Sequence, residues 1–230
     1  HSPKIFCIFL QKVLAKNMLP FGHLVWGAIG ITLKIGILAF ISAVLIAIVV
    51  GSLRARKLPK FFSGLLAAYV EFFRGTPLLV QLFVVYYGLP SFGVVIDPIV
   101  ASVVTMGFNS GAYLSEVVRA AVLSVDRGQY EAAAILGYNP LQTTIHVVLP
   151  QALRIAVPSF MNGFSSIVKE TSLVSVLPII ELTKLGNQIY AKTYHPFEIY
   201  ISLAVLYFIM TYFVTFFAKW IERRLSVWFS

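Results

Sequence analysis

Charge is what this chain has least of: only 12% of its 230 residues are Asp, Glu, Lys or Arg, against roughly a quarter in an ordinary soluble domain. With 59% hydrophobic residues, a globular body of this length would leave long Leu, Ile, Val and Phe runs in water, so lipid is the fitting solvent. Cysteine is nearly absent as well. Cys7 stands alone, which excludes an internal disulfide and any cysteine-based metal cluster. His1, His23, His146 and His195 are scattered without a metal-ligand pattern, and no Ser-His-carboxylate or paired-carboxylate arrangement is legible, which argues against a membrane enzyme. No G-x-x-x-x-G-K-[ST] run, no low-complexity linker, no 20-to-50-residue repeat and no inverted pair of halves occurs; the chain has no phosphate-binding loop to hydrolyse ATP with, and a single domain over 1–230 is the economical reading.

What is present is ordered by lipid. The 18 Lys and Arg outnumber the 9 Asp and Glu, but they sit at the ends of apolar runs instead of pooling on one polar face, which suits anionic headgroups and excludes nucleic acid as a partner. A bilayer core of ~30 Å needs about 20 apolar residues as a helix. Leu24 to Val50, Pro98 to Val125, Ile155 to Ile180 and Phe197 to Trp220 meet that length. A further stretch, Phe61 to Leu89, is interrupted at Arg74-Gly75-Thr76-Pro77, where Pro77 lacks a donor and must break or bend the helix. The expectation is an all-α membrane protein of five spans, preceded by an amphipathic lead-in over 1–23. A segment before His1 is expected, because the chain does not begin with Met and Ile5 to Leu10 is too short for a signal-peptide core. Arg54, Arg56, Lys57, Lys60, Arg127, Arg154, Lys219, Arg223 and Arg224 fall on one side of such a bundle, which puts the N-terminus outside and the C-terminus inside.

The longest polar interruption, Ser124 to Arg154, then lies in the cytoplasm. Asp126 is placed to cap a helix, with Gln129 reaching back, over Gln129 to Leu136. Gly137 stands where a left-handed cap belongs, and Asn139-Pro140 stops the helix before a second begins near Leu141. In the third span, Ser102, Thr105, Asn109, Tyr113 and Glu116 recur at helical steps and form a polar stripe, opposite a small-residue stripe of Gly107, Gly111 and Ser115. Small faces permit close packing, and polar faces are tolerated in lipid only when turned to protein or a water-filled path. The fourth span repeats this with Ser159, Asn162 or Gly163, Ser166 and Glu170 on one face and Lys169 beside it. Glu170 reads as an acceptor for an ammonium or guanidinium, or else as the partner of Lys169 or Arg74 in an internal ion pair. Glu170 and Glu116 together would make a pocket for a positive group, while Arg74 could face a substrate carboxylate or a lipid headgroup.

Glu131-Ala132-Ala133, then Gly137, then Leu149-Pro150, with Val147 where Ile is usual, resembles the EAA loop of permease subunits of ATP-binding cassette importers. The run from Glu71 to Gln81, Ser110-Gly111-Ala112-Tyr113 with Glu116 and Arg119, and Lys169 to Leu173 resemble the polar amino acid branch of that family, the histidine, glutamine and arginine permeases. The resemblance implies a type I importer permease fold and uptake of polar or charged, even basic, amino acids across the bacterial inner membrane. It implies a coupling role for Glu131, Ala132, Ala133, Gly137, Tyr138 and Pro150, whose slim alanine surface would enter a groove on the ATPase. Substrate contact is expected of Arg74, Asn109, Tyr113, Glu116, Lys169, Glu170 and Thr171. The partners that the resemblance implies are a dimer of cassette ATPases carrying the ATP and Mg, a second permease, identical or paralogous, and an extracytoplasmic binding protein. No cofactor or metal is expected on this chain. A channel or ion-coupled transporter, with Lys169, Glu170 and Glu116 as ion sites, is the alternative.

Overall fold

A computed structural model describes residues 22–228, with side chains as far as 217. The expected lead-in over 1–23 thus lies almost wholly outside the described residues, as do the side chains of Lys219, Arg223 and Arg224. Among the described residues every regular element is helical.

Helix α1, Gly22–Arg54, is apolar on nearly every side, with Lys34 an exposed exception in its first half. One face is buried by protein through Ala28, Gly36, Ala39, Ala43, Ala47 and Gly51, and the other exposes Trp26, Ile37, Ile41, Leu45 and Val49, which is the distribution of a helix with lipid on its outer side. Helix α2, Lys60–Gly75, is followed by helix α3, Leu78–Phe83, and the helical run Leu78–Phe92 that α3 opens is bent by 104° from α2. Thr76 is extended, at φ −116° and ψ 143°, because the ring of Pro77 keeps the preceding residue out of the helical region. The expected interruption is thus a full change of direction, and 61–89 is not a straight span. Beyond α3 the chain winds through a wide turn, Val84–Gly88, and a tight one, Leu89–Phe92.

Helix α4, Pro98–Leu123, is capped by Asp97, whose carboxylate accepts from the Ile99 and Val100 N–H groups. It is the bundle's centre, against α1 along most of their shared length. The small-residue stripe is where they meet. A Cβ on Gly107 would lie 2.8 Å from that of Ser42, and one on Gly111 2.9 Å from Ile46. Close backbone approach lets helices associate where no hydrophobic effect drives them together.

Helices α5, Arg127–Ile135, and α6, Pro140–Thr143, make the polar connection. Helix α6 runs through a wide turn, Thr144–Val148, into α7, Leu149–Glu170, and a tight helical turn, Thr171–Val176. The helical run therefore begins at Pro140, well before the expected start of the fourth span at Ile155, and it absorbs the second half of the polar loop. Helix α8, Leu182–Thr193, was not expected from sequence; Glu181 caps it. Helix α9, Pro196–Trp228, closes the fold. A larger core joins α1, α3, α4 and α7 around Ile35, Leu82, Met106, Val118, Phe160 and Ile167. A smaller one joins α1, α8 and α9 around Ala28, Leu182, Ile189, Ile199 and Leu203.

Three stretches, Gly22–Arg54, Pro140–Val176 and Pro196–Phe217, are long and apolar enough to cross a bilayer, and the bent α2–α3 pair makes a fourth if taken as one. Helix α4 has the length, 26 residues, but its polar stripe lowers its apolarity below theirs.

Gly51 sets the tightest contact with α4: an added Cβ would lie 2.5 Å from the Ser115 carbonyl oxygen and 2.6 Å from the Val118 Cβ, whereas one on Gly27 meets nothing within 4 Å. Gly51→Ala is expected to cost about 1–3 kcal/mol through overpacking, read as a lowered unfolding temperature of the purified protein in detergent. Gly27→Ala should leave that temperature unchanged.

Candidate functional site

A helix that stops inside a membrane protein leaves its last carbonyls without partners, and each must find a donor within the protein. At the end of α2 this is done one carbonyl at a time. The Thr76 hydroxyl donates to the Phe72 carbonyl at 2.8 Å. The Phe73 carbonyl accepts from the side-chain amides of Gln81, at 3.0 Å, and Asn109, at 2.9 Å. The Arg74 carbonyl accepts from the Tyr113 hydroxyl at 3.2 Å. Gln81 also reaches the Thr76 carbonyl and hydroxyl, and its own amide oxygen accepts from Asn109 at 3.1 Å. Asn109 and Tyr113, from the polar stripe of α4, and Gln81 of α3 therefore fix the bend.

The bend opens a cavity of about 400 Å³ bordered by Arg74, Thr76, Pro77, Asn109, Tyr113 and Glu170. A second, of about 240 Å³, adjoins it and shares Asn109, Tyr113 and Glu170, adding Ser110, Gly163 and Ser166. The Arg74 guanidinium lies 5.3 Å from the centre of the Tyr113 ring, a cation–π distance. Among the described residues, no cation lies within ion-pair reach of Glu170. Neither Lys169 nor Arg74 makes the internal pair that the sequence left open. A guanidinium and a carboxylate thus border one cavity without neutralising each other directly, an arrangement that suits a ligand bearing both signs of charge.

Four of the expected residues, Arg74, Asn109, Tyr113 and Glu170, border this space. Three do not. Glu116 is held by Arg54 of α1 and by Arg119, the latter at 2.9 Å, so the expected two-carboxylate pocket is not built; an arginine 62 positions away in sequence outcompetes it. Lys169 is exposed and borders neither cavity. Thr171 is fully buried, and its hydroxyl bonds back to the Val168 carbonyl. Ser102 and Thr105, in the same polar stripe, also bond back within their own helix. Gln81 is the residue that sequence reasoning passed over. Its signal was an amide alone in an apolar run, a few residues after a helix-breaking proline.

In the polar connection, Asp126 accepts from the Gly128 N–H at 2.7 Å and starts α5. Gln129 does not reach back to it; its amide oxygen accepts from Gln151 of α7 at 3.2 Å. Gly137 is left-handed, at φ 82°. The Tyr138 N–H bonds the Ala133 carbonyl and the Gly137 N–H that of Ala134, the paired closure that favours glycine there. Asn139 and Gln142 then cap α6 reciprocally. Ala133 is buried while Glu131, Ala132 and Ala134 are exposed, so the slim surface expected of three alanines is narrower by one. Ile135 is 86% and Leu136 75% exposed, with Tyr138, Leu141 and Ile145 also open. Pro150 is half-buried near the start of α7. An apolar patch on a polar connection is the mark of an interaction surface.

Residues 43–227 match the family described as binding-protein-dependent transport system inner membrane component. The chain is 38% identical over 201 residues to the L-cystine transport system permease protein of Bacillus subtilis (strain 168), covering 87% of this chain and 86% of the relative. It is 37% identical over 203 residues to the glutamine transport system permease protein of Escherichia coli (strain K12), covering 85% and 90%. The crystal structure of an amino acid ABC transporter with histidines superposes with a TM-score of 0.80 at 36% identity, over 90% of this chain and 96% of that one.

The bend gives a graded expectation. Gln81→Leu strips the side-chain donor from the Thr76 carbonyl and the acceptor from Asn109, costing about 1–3 kcal/mol. Asn109→Leu costs less, because Gln81 still donates to the Phe73 and Thr76 carbonyls and only its own amide oxygen loses a partner. Thermal unfolding of the two purified variants should rank them in that order.

Proposed function

From the premise that this chain belongs to the binding-protein-dependent transport system inner membrane component family, we propose how it carries out the transport that membership entails. The chain is a multi-pass inner-membrane permease subunit of an amino acid ABC importer; it is not itself an enzyme, and ATP hydrolysis belongs to a separate subunit with which it works, together with a binding protein. The family does not support the channel or ion-coupled transporter.

The substrate is a polar amino acid held at the bend between α2 and α3, and the meeting of Arg74, Asn109, Tyr113 and Glu170 around one cavity carries this reading. Arg74 takes the substrate carboxylate and Glu170 its ammonium, or a cationic side chain; Tyr113 keeps the guanidinium in place through its ring. The similar cystine and glutamine permeases bear names of amino acids that carry both charges, which agrees with this pairing.

Five crossings, α1, the bent α2–α3 pair, α4, α7 and α9, put the N-terminus outside and α9's end inside. The ion cluster of Arg54, Glu116 and Arg119 supports this, since it brings the basic end of α1 and the end of α4 that precedes the polar connection to the same side. The connection then lies in the cytoplasm, where Glu131, Ala132 and the apolar patch from Ile135 to Tyr138 enter a groove of the ATPase. ATP and Mg²⁺ are held by that partner, a second permease completes the path, and the binding protein delivers substrate from outside.

Uptake into liposomes by the assembled transporter tests the pocket. Glu170→Gln should raise the KM roughly ten- to hundredfold, the equivalent of one charge-assisted hydrogen bond; undiminished uptake would remove Glu170 from the site. Glu131→Lys should release the ATPase during co-purification while the permease keeps its unfolding temperature, and normal retention would contradict the docking surface.

A further inference from the structure

Away from the cavity, the structure buries a carboxylate that the transport reading does not use. Glu181 is 0% exposed. One carboxylate oxygen accepts from the Lys184 N–H at 2.6 Å, and the other accepts from the Thr183 N–H at 2.8 Å and the Tyr207 hydroxyl of α9 at 3.0 Å. The Tyr207 oxygen also lies 2.9 Å from the Thr183 hydroxyl. Tyr207 has one hydrogen and gives it to the carboxylate, so Thr183 is the donor in that last contact. Helix α8 also packs against the turn Thr171–Val176. Next to the carboxylate, the Leu182 N–H donates to the buried Thr32 hydroxyl of α1 at 3.1 Å.

A helix cap alone needs only the carboxylate and the first N–H groups of α8. This one is withdrawn from solvent and held from α9, 26 positions away in sequence. Gly186 presses α8 onto the same helix, leaving no room for a Cβ beside Leu203. The remaining corner, Thr171, follows Glu170 directly and packs on Gly36 of α1. A buried carboxylate that loses one donor keeps its desolvation cost, so the cluster holds together or gives way as a unit. Because α8 packs on the turn that Thr171 opens, shifting α8 against α9 bears on Thr171 and, through the adjacent peptide, on Glu170.

We propose that Glu181 and Tyr207 are positioning residues for transport, tying the start of α8 and the body of α9 to the turn that aims Glu170 into the cavity. The proposal rests on the transport reading above. Motion of α8 or α9 is passed to the pocket through the bond between the Tyr207 hydroxyl and the Glu181 carboxylate, and neither residue touches substrate.

The test uses the complete assembly of permease, ATPase and binding protein in liposomes, measuring amino acid uptake and ATP hydrolysis together, with thermal unfolding read in detergent. Tyr207→Phe keeps the ring and removes only the hydroxyl. It is expected to assemble, with an unfolding temperature lowered by the lost buried bond, while uptake per ATP of the assembled transporter falls roughly three- to tenfold, the scale of one buried hydrogen bond to a charged group. Glu181→Gln should act in the same direction, and the double variant should be no worse than Glu181→Gln alone, because both changes act through one bond. An unchanged ratio of uptake to hydrolysis in Tyr207→Phe overturns the proposal. So does a loss of assembled protein with an unchanged ratio per assembled transporter, which is the signature of a helix cap and nothing more. Failure of the pocket reading shows separately, as unmodified uptake in Glu170→Gln, and does not alter the ratio read in Tyr207→Phe.

Discussion

The carbonyls freed where α2 stops at Gly75 must be satisfied without bulk water, and much of the structure follows from that demand. Phe72, Phe73 and Arg74 each direct a carbonyl at a side chain that exists to receive it. Two of those side chains, Asn109 and Tyr113, belong to α4, which is why α4 carries polar residues that lower its apolarity and why it sits inside the bundle. The same residues border the cavity. Polarity placed to repair a broken helix thus also lines the cavity, and the bend brings Arg74 to the same space as Glu170, nearly a hundred residues later.

Holding α4 centrally requires the neighbouring helices to come close. The Ala and Gly face of α1 does this against Gly107, Gly111 and Ser115. At the end of that contact the charged residues that would otherwise be stranded, Arg54, Glu116 and Arg119, neutralise one another. Glu116 is consequently an element of assembly between helices. Its absence from the cavity leaves one carboxylate, Glu170, and one guanidinium, Arg74, bordering that space.

The polar connection shows the opposite balance. Its backbone is closed locally, by Asp126, by the left-handed Gly137 and by the reciprocal Asn139 and Gln142 caps, yet Ile135 and Leu136 remain open. A segment rigid in its backbone and unsatisfied in its apolar surface is suited to receive a partner without paying to order itself. The bond from Gln151 to Gln129 fastens this segment to α7, the helix that ends at Glu170. One continuous element therefore leads from the expected ATPase contact to the cavity.

Local physics made much of this legible. The apolar runs, the break before Pro77, the small face of the third span, the Asp126 cap and the left-handed Gly137 are each decided by neighbours in sequence, through chain geometry and side-chain size, and the structure has them. Arg74, Asn109, Tyr113 and Glu170 were legible as costly polar residues in an apolar chain. What they touch was not. Glu116 and Arg54 are 62 residues apart, Glu181 and Tyr207 are 26 apart, and Gln129 found Gln151 in place of its own helix start; such pairings depend on how helices cross, which periodicity does not encode. Helix α8 escaped notice because its capping carboxylate reads as an ordinary loop charge until α9 buries it. The sequence alone determined which groups needed partners. Only the tertiary structure decided which partner each received, because burial in a low-dielectric interior makes that choice energetically decisive.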